Sequence, residues 1–423
     1  MERSVTRRSA LRPESTLCAT DVDIHENPLI RRAPPTARAF LGAPLTTLQR
    51  LHTIAVNARP LIASLLCVVA GACSSGPPTI QLGVAGPFAQ PFGDMNKKGI
   101  EMAIAEVNDS GGVRGKHLEL DERDDGADGA KAAGIAQGFV ANQAIVGVVG
   151  HVTSGAMVAA AKVYDSGRLP AIATSATTPE LTGISPWVFR VISSDSSNGI
   201  TIAHFAESMG RKRAAVLYEN DAYGRGLASS FRRSFTGQIV SIDPISANVT
   251  NAEPYIAYYK TRSPDVVFVV GTQNSGLVVL HEAKRDKFTA DFLGGDGWTG
   301  IVADTAMSEG VYVGTAFTVK DPRPEVQRFV ADFRARYHET PDAYAALGYD
   351  AARMMARAIQ EAGPNRAAVR AYLASLTDET AYHGITGVLR FGADGDPVTS
   401  SYRMTRVHQG AFELVVPGAG SAQ

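Results

Sequence analysis

Residues 169–181 read LPAIATSATTPEL. The mostly apolar segment 169–173 makes a short strand, the hydroxylated residues Thr174, Ser175, Thr177 and Thr178 make a turn, and Pro179-Glu180 opens a helix. The spacing from Thr177 to Glu180 suits a capping box, and proline fits a first helical turn. Free backbone N–H groups and hydroxyls therefore gather at a positive helix end, which is the outline of an anion cradle. The same residues also serve as a plain helix cap, and the stretch alone does not separate the two uses.

A strand that turns through small polar residues into a helix is the unit of α/β folds, and it recurs on both sides of this stretch. Before it, 80–85, 117–121 and 145–150 read as strands and 127–142 and 154–166 as helices. Ile100, Ala103, Ile104 and Val107 mark a helix over 99–107 by their i, i+3, i+4, i+7 spacing, and Gly111-Gly112 stops it. From Arg213 the pattern starts again, with strands at 214–218, 238–242, 265–270, 291–294 and 311–315 and helices at 226–235, 252–260 and 275–285. The prediction is an α/β protein of two doubly wound lobes, each a parallel sheet with helices on both faces.

The last third is helical at 324–337, 344–361 and 367–376. It closes with strands at 387–391 and 402–407 around the loop Gly392-Ala393-Asp394-Gly395-Asp396-Pro397. This tail is expected to return and complete the first lobe, so that several crossings between lobes form a hinge. The expected boundaries are a leader and signal at 1–73, a linker at 74–78, a first lobe of 79–195 plus 321–391, a second lobe of 196–320 plus 392–415, and a tail at 416–423. In open α/β sheets ligands bind outside the carboxyl ends of the strands, so each strand-to-helix loop is a candidate site.

Composition narrows what such a fold does here. The chain has 423 residues, 45% hydrophobic and 20% charged, enough for two domains with full cores. Residues 1–73 hold nine Arg, no Lys and five acids, a net +4, so within a total of −1 the remainder carries −5. A mildly acidic body without basic clusters interleaved with aromatics argues against a nucleic-acid partner. Arg59 precedes the apolar run 61–72, LIASLLCVVAGA, which ends at Cys73. That run is too short to span a bilayer and suits the core of a secretory signal. Residues 1–55 are Arg- and Pro-rich without periodicity, which puts the expected translation start near Val56. Cys18, Cys67 and Cys73 all fall at or before the cleavage point, leaving the body no disulfide, thiol nucleophile or cysteine metal site.

Ala70, Gly71 and Ala72 before Cys73 resemble a bacterial lipoprotein signal, with Ala70 where that pattern usually has Leu. The resemblance implies a lipid anchor at Cys73 and a periplasmic or extracytoplasmic location; an ordinary signal cleaved near Ala72 is the alternative. A second resemblance covers most of the chain. It is carried by IQLGVAGPFAQPFGDMNKKGIEMAIAEVNDSGGVRGKHLEL from Ile80, the pair Asp124-Asp125, VVGHVTSGA, SATTPEL, YENDAYGRGLA, SPDVVFVVG, FLGGDG, EGVYV and AYAALGYDAARMMARAI. In this order and spacing they resemble the type I periplasmic solute-binding proteins of branched-chain amino acid transport, the Leu/Ile/Val-binding group. The resemblance implies two lobes that close on a small ligand, an amino acid, and pass it to the permease of an ABC importer, with no cofactor.

The site follows from the same resemblance, residue by residue. Ser154 matches a serine that binds the ligand carboxylate, and Ser175, Ala176 and Thr177 match a segment that offers it backbone groups and a hydroxyl. Tyr223 matches an aromatic of the second lobe, and Asp296 an acid that faces the ligand ammonium. Thr272 replaces an aromatic of the branched-chain binders, Trp298 adds bulk just after Asp296, and Phe92, behind one extra residue in AQPFGD, is placed to line the side-chain pocket. Each has a plainer reading: an N-cap for Ser154, turn residues for Tyr223 and Asp296, loop packing for Phe92 and Trp298. Thr153 and Ala127 stand where relatives often carry a disulfide pair. The chemistry is coherent without catalysis, because a zwitterion needs donors for its carboxylate and an anion for its ammonium.

Two other classes remain. An enzyme on this architecture lacks its usual signs, since the chain has no Walker loop, GxSxG elbow or HExxH pair, and Gly224-Arg225-Gly226 is only a fragment of a dinucleotide fingerprint. His151, His204, His281, His338 and His383 read as solvated or core histidines. A ligand sensor reporting to a signalling partner is the other alternative.

Overall fold

The computed structural model describes residues 79–415; Cys73, the signal, the linker and residues 416–423 lie outside the described residues. The first half alternates as the sequence pattern requires: β1 (Thr79–Gly86), α1 (Pro91–Asp109), β2 (His117–Asp124), α2 (Gly129–Ala141), β3 (Ile145–Gly150), α3 (Ser154–Gly167), β4 (Ala171–Ala173), a 3-10 turn (Pro179–Leu181) and β5 (Val188–Arg190). These strands form a sheet in the order β2-β1-β3-β4-β5, parallel throughout. Every residue of β3, IVGVVG, is buried, as expected of a parallel strand covered on both faces.

The chain then crosses into α4 (Asp195–Ser208), β6 (Arg213–Glu219), α5 (Ala222–Ser234), β7 (Gln238–Ile245), α6 (Glu253–Arg262), β8 (Val266–Val270), α7 (Gln273–Arg285), β9 (Asp291–Gly294), a 3-10 segment (Asp296–Ala303), α8 (Thr305–Ser308) and β10 (Tyr312–Thr315). It continues with α9 (Pro324–Tyr337), α10 (Ala343–Ala362), α11 (Arg366–Ala374), a small ribbon of β11 (Tyr382–His383) and β12 (Val388–Leu389), and finally β13 (Arg403–His408) and β14 (Ala411–Leu414). The second sheet runs β14-β13-β10-β9-β8-β6-β7. Its last two strands are antiparallel, which the parallel pattern of the sequence did not foretell. Gln409 and Gly410, at φ 49° and 74°, make the tight two-residue turn that joins them.

The late helices do pack on the first sheet. Leu347, Ala351, Met355 and Ile359 of α10 share one core with Ile80, Leu82 and Val84 of β1, each of these side chains larger than Ala351 contributing roughly 1.5–3 kcal/mol. The α1–α10 crossing is at backbone contact: a β-carbon on Gly99 would collide with the Ala345 carbonyl, and one on Gly348 with the Asn96 carbonyl. Asn96 itself donates to Tyr344 O at 2.9 Å and accepts from the Thr174 hydroxyl at 3.3 Å. One asparagine thus joins α1, the start of α10 and the loop after β4.

Several local readings change, and the short strands β5 and β14 were not foreseen. Helix α1 begins at Pro91 rather than at residue 99, because the buried positions of its first two turns are Gly93 and Asn96 and leave no apolar period there. Helix α4 was not foreseen, since its buried face includes Asp195, Asn198 and Gly199. The helix expected after Thr178 is a single 3-10 turn, and Thr178 rather than Thr177 caps it, through Glu180 N–H at 3.4 Å. A turn that short offers no helix dipole to an anion.

What fixes the 174–182 loop instead is Arg190. Its Nε and Nη2 bond both oxygens of Asp396 at 2.7 Å, Nη1 reaches Thr178 O at 2.9 Å and Ala176 O at 3.4 Å, and Nη2 also meets the Thr182 hydroxyl at 2.8 Å. The guanidinium is only 2% exposed. Removing one member of a buried ion pair typically costs about 3–5 kcal/mol. Arg190→Met should lower the denaturant-unfolding free energy by an amount in that range, and a change below about 1 kcal/mol, the worth of an exposed pair, would contradict the role given to it.

Candidate functional site

The carboxyl ends of both sheets face one cavity of about 60 Å³. From the first sheet come Phe92 after β1, Val152, Thr153 and Ser154 after β3, and Ser175 after β4; from the second come Asp221 and Tyr223 after β6, Thr272 after β8, and Asp296 and Gly297 after β9. Tyr344, at the start of α10, closes the wall beside Phe92, the two rings 5.3 Å apart. This is the position at which open α/β sheets hold ligands. Ligand pockets commonly reach several hundred Å³, so a solute enclosed here is small.

Six of the nine sequence-predicted residues meet at this cavity: Phe92, Ser154, Ser175, Tyr223, Thr272 and Asp296. The other three do not reach its wall. Ala176 and Thr177 are fully buried behind Ser175, with the Ala176 carbonyl held by Arg190. Trp298 is fully buried too, its ring wedged against Gly276 and Gly294 in the core of the second sheet. Its bulk anchors the segment that carries Asp296 and adds nothing to the cavity. Tyr344, Asp221, Thr153, Val152 and Gly297 were missed; the first lies far along the chain from the loops that sequence order groups together, and Asp221 is an ordinary N-cap by its sequence, which it also is in the structure, accepting from Gly224 N at 2.7 Å.

The polar groups have defined roles. Ser154 Oγ accepts from Thr178 N at 3.2 Å, so its own proton stays available. Tyr223 donates to Asp296 Oδ1 and accepts from Gly297 N, each at 3.2 Å. The Thr272 hydroxyl and amide both donate to Glu219 Oε1 at 2.8 Å, so Thr272 presents only lone pairs to the cavity. Burial pushes the Asp296 carboxyl up to about 7, with its own backbone N–H and the Tyr223 hydroxyl working against the rise. Burial likewise raises Asp221. No Lys, Arg or His lines the cavity, which sets two carboxylates against a wall of hydroxyls.

Behind the first-sheet wall the loops are braced by acids. Asp124 accepts from Ala89 N at 3.0 Å, reaching the loop that leads to Phe92. Asp125 Oδ2 lies 2.6 Å from His151 Nδ1, and His151 Nε2 lies 2.9 Å from the Tyr164 hydroxyl, all three side chains buried. A neutral His151 that donates from Nδ1 to Asp125 and accepts at Nε2 from Tyr164 satisfies every partner. Ala127 and Thr153 flank this pair, so the two loops without a disulfide are tied by Asp125 and His151 instead. Among the described residues no cluster of three or more His, Cys, Asp or Glu is arranged to hold a metal ion, and no helix is long and apolar enough to cross a membrane.

A family model described as periplasmic binding protein matches residues 80–411. The leucine-, isoleucine-, valine-, threonine- and alanine-binding protein of Pseudomonas aeruginosa is 28% identical over 80% of this chain and 92% of its own length. The branched-chain amino acid transporter substrate-binding protein LivJ of Streptococcus pneumoniae, solved with isoleucine, superposes with a TM-score of 0.74 at 28% identity, covering 79% of this chain and 98% of that one. An ABC transporter substrate-binding protein of Desulfitobacterium hafniense in complex with Leu gives 0.70 at 31% identity, covering 80% and 100%.

The two sides of the cavity touch where α5 meets the 3-10 turn. A β-carbon on Gly226 would stand 2.7 Å from Pro179 Cδ, so this glycine sets how near α5 comes. Gly226→Ala should hold the sides apart at a cost of about 1–3 kcal/mol to the shut form, while helix propensity gains about 1 kcal/mol. Small-angle scattering should report a larger radius of gyration with an unchanged or higher melting temperature; an unchanged radius would remove Gly226 from this contact.

Proposed function

The chain belongs to the periplasmic binding protein family, and from that premise we propose that it captures an amino acid in the cavity between its two lobes and delivers it to the permease of an ABC importer. The observation that carries this reading is the division of the cavity: the carboxylate Asp296 stands on one side and unspent hydroxyls stand on the other, with no cation among them. Such a wall pairs an ammonium and a carboxylate of one small zwitterion and gives a simple anion no countercharge. Relatives named for binding leucine, isoleucine, valine, threonine and alanine support the ligand class.

In this reading the lobes are 79–195 plus 321–391 and 196–320 plus 392–415. Ser154 and Ser175 take the ligand carboxylate. Asp296, oriented by Tyr223, takes the ammonium. Phe92, Tyr344 and Val152 enclose the side chain, and Thr272 contributes an acceptor where branched-chain binders have an aromatic. Trp298 acts from behind, holding Asp296 in place. The ligand favours the shut form because only there are both of its ends paired. No residue of the cleft is asked to do catalysis, and Cys73 holds the protein at the membrane through a lipid anchor.

Calorimetry against free amino acids, their amides and short carboxylates tests this directly. An α-amino acid with a small apolar side chain should bind and carboxylates lacking the amino group should not; if no amino-bearing carboxylate binds, the reading fails. Asp296→Asn should cost about 1.5–3 kcal/mol of affinity, roughly ten- to a hundredfold, as expected of a hydrogen bond between charged groups. Its melting temperature should not fall, because the lost charge is a buried one.

A further inference from the structure

Next to the cleft, both oxygens of Asp195, the Thr177 hydroxyl and the Tyr402 hydroxyl are buried without a hydrogen-bond partner. Only Asp195 carries a charge there. It is fully buried, opens α4 where the chain has just crossed from the first sheet to the second, and its backbone N–H donates to Thr177 O at 2.8 Å. Its carboxyl lies against α5: a β-carbon on Gly226 would stand 3.6 Å from Oδ2. One turn earlier on that helix is Tyr223, whose hydroxyl bonds Asp296.

An ionised carboxylate with neither oxygen bonded is too costly in a protein interior, and the group takes a proton instead. The neighbours relieve it only in part, because the Thr177 hydroxyl, Arg190 and Asn198 favour the charged form less than burial and Asp296 oppose it. Arg190 spends its N–H donors on Asp396, Thr182 and the carbonyls of Ala176 and Thr178. Asp296 adds like charge, and the hydroxyls of Tyr223 and Tyr402 are kept neutral by burial. Asn198, on the same helix, is engaged with Ser193 through both ends of its amide. Burial first, then Asp296, push the Asp195 carboxyl well above the ordinary carboxylate range.

We propose that Asp195 is a positioning acid of the cleft, taking up a proton from solvent when the lobes shut on a ligand and returning it when they part. This rests on the reading of the cavity as a ligand site. With water in the open cleft Asp195 is ionised at neutral pH; shut, it is neutral, and Asp296 is left as the charge that meets the ammonium. A neutral Asp195 also has an O–H to give. The Thr177 hydroxyl beside it is the acceptor at hand.

Calorimetric titration with L-leucine, L-isoleucine, L-valine, L-threonine and L-alanine, run near neutral pH in buffers of different ionisation enthalpy, counts the protons. Asp296, near 7 in the free protein, gives up part of a proton when it meets the ammonium in both proteins, so the net uptake of the wild type should exceed that of Asp195→Asn by between about half a proton and one per amino acid bound. An equal proton count in the two proteins overturns the inference and leaves the amino acid reading standing. If none of the five binds, the amino acid reading falls, and this inference falls with it.

Discussion

A single buried guanidinium governs the geometry of the cleft. Arg190 ends β5 and gives its five N–H donors to five acceptors: two oxygens of Asp396, the Thr182 hydroxyl and the carbonyls of Ala176 and Thr178. Full satisfaction is what makes burying such a charge tolerable, and planarity is what makes it directional. The carbonyls of the loop after β4 are drawn toward Arg190, so the loop's amides and hydroxyls are left for other partners. Thr178 N–H duly reaches Ser154. The same arginine fastens residue 396, where the chain returns toward the second sheet, so the floor of the site and one crossing between the lobes share one anchor.

Around that anchor the site is electrically lopsided. Asp221 and Asp296 line it, Glu219 stands behind Thr272, and Asp195 is sealed beneath, while the cavity wall carries no cation. Negative charge packed this closely is stable only if hydrogen bonds, protons or an incoming cation spread it. Tyr223, the amides of Thr272 and Gly224 and the Thr272 hydroxyl supply part of that. On the first-sheet side the acids Asp124 and Asp125 are fully spent on loop amides and His151, and serve as braces.

Much of this was legible in the residues. Strands such as VVFVV and IVGVVG and helices with clean apolar spacing declared themselves, because burial on both faces or on one stripe leaves a periodic trace. Asp296, Ser154, Ser175, Tyr223, Thr272 and Phe92 were legible through their place after strands in a recognisable order. Helix α4 was not, because a helix whose buried face bears Asp195 and Asn198 has lost its apolar period. Trp298 was misplaced for a related reason: sequence gives proximity to Asp296 but not the side on which the ring leaves the chain, and two glycines elsewhere decide that. Tyr344 depended on the α1–α10 crossing, a contact between residues about 250 positions apart that no local pattern encodes.

The return of the chain has a consequence for how the molecule comes into being. The core under β1 is finished only by α10, α11 and Phe391, and the second sheet only by β13 and β14. A growing polypeptide that has emerged as far as β10 therefore owns one finished core, between α2, α3 and one face of the first sheet, while the other face of that sheet and the edge of the second sheet stay uncovered. Those long-range contacts must wait for the final residues. Truncation near the carboxyl terminus would be paid by both at once, including the lobe that synthesis laid down first.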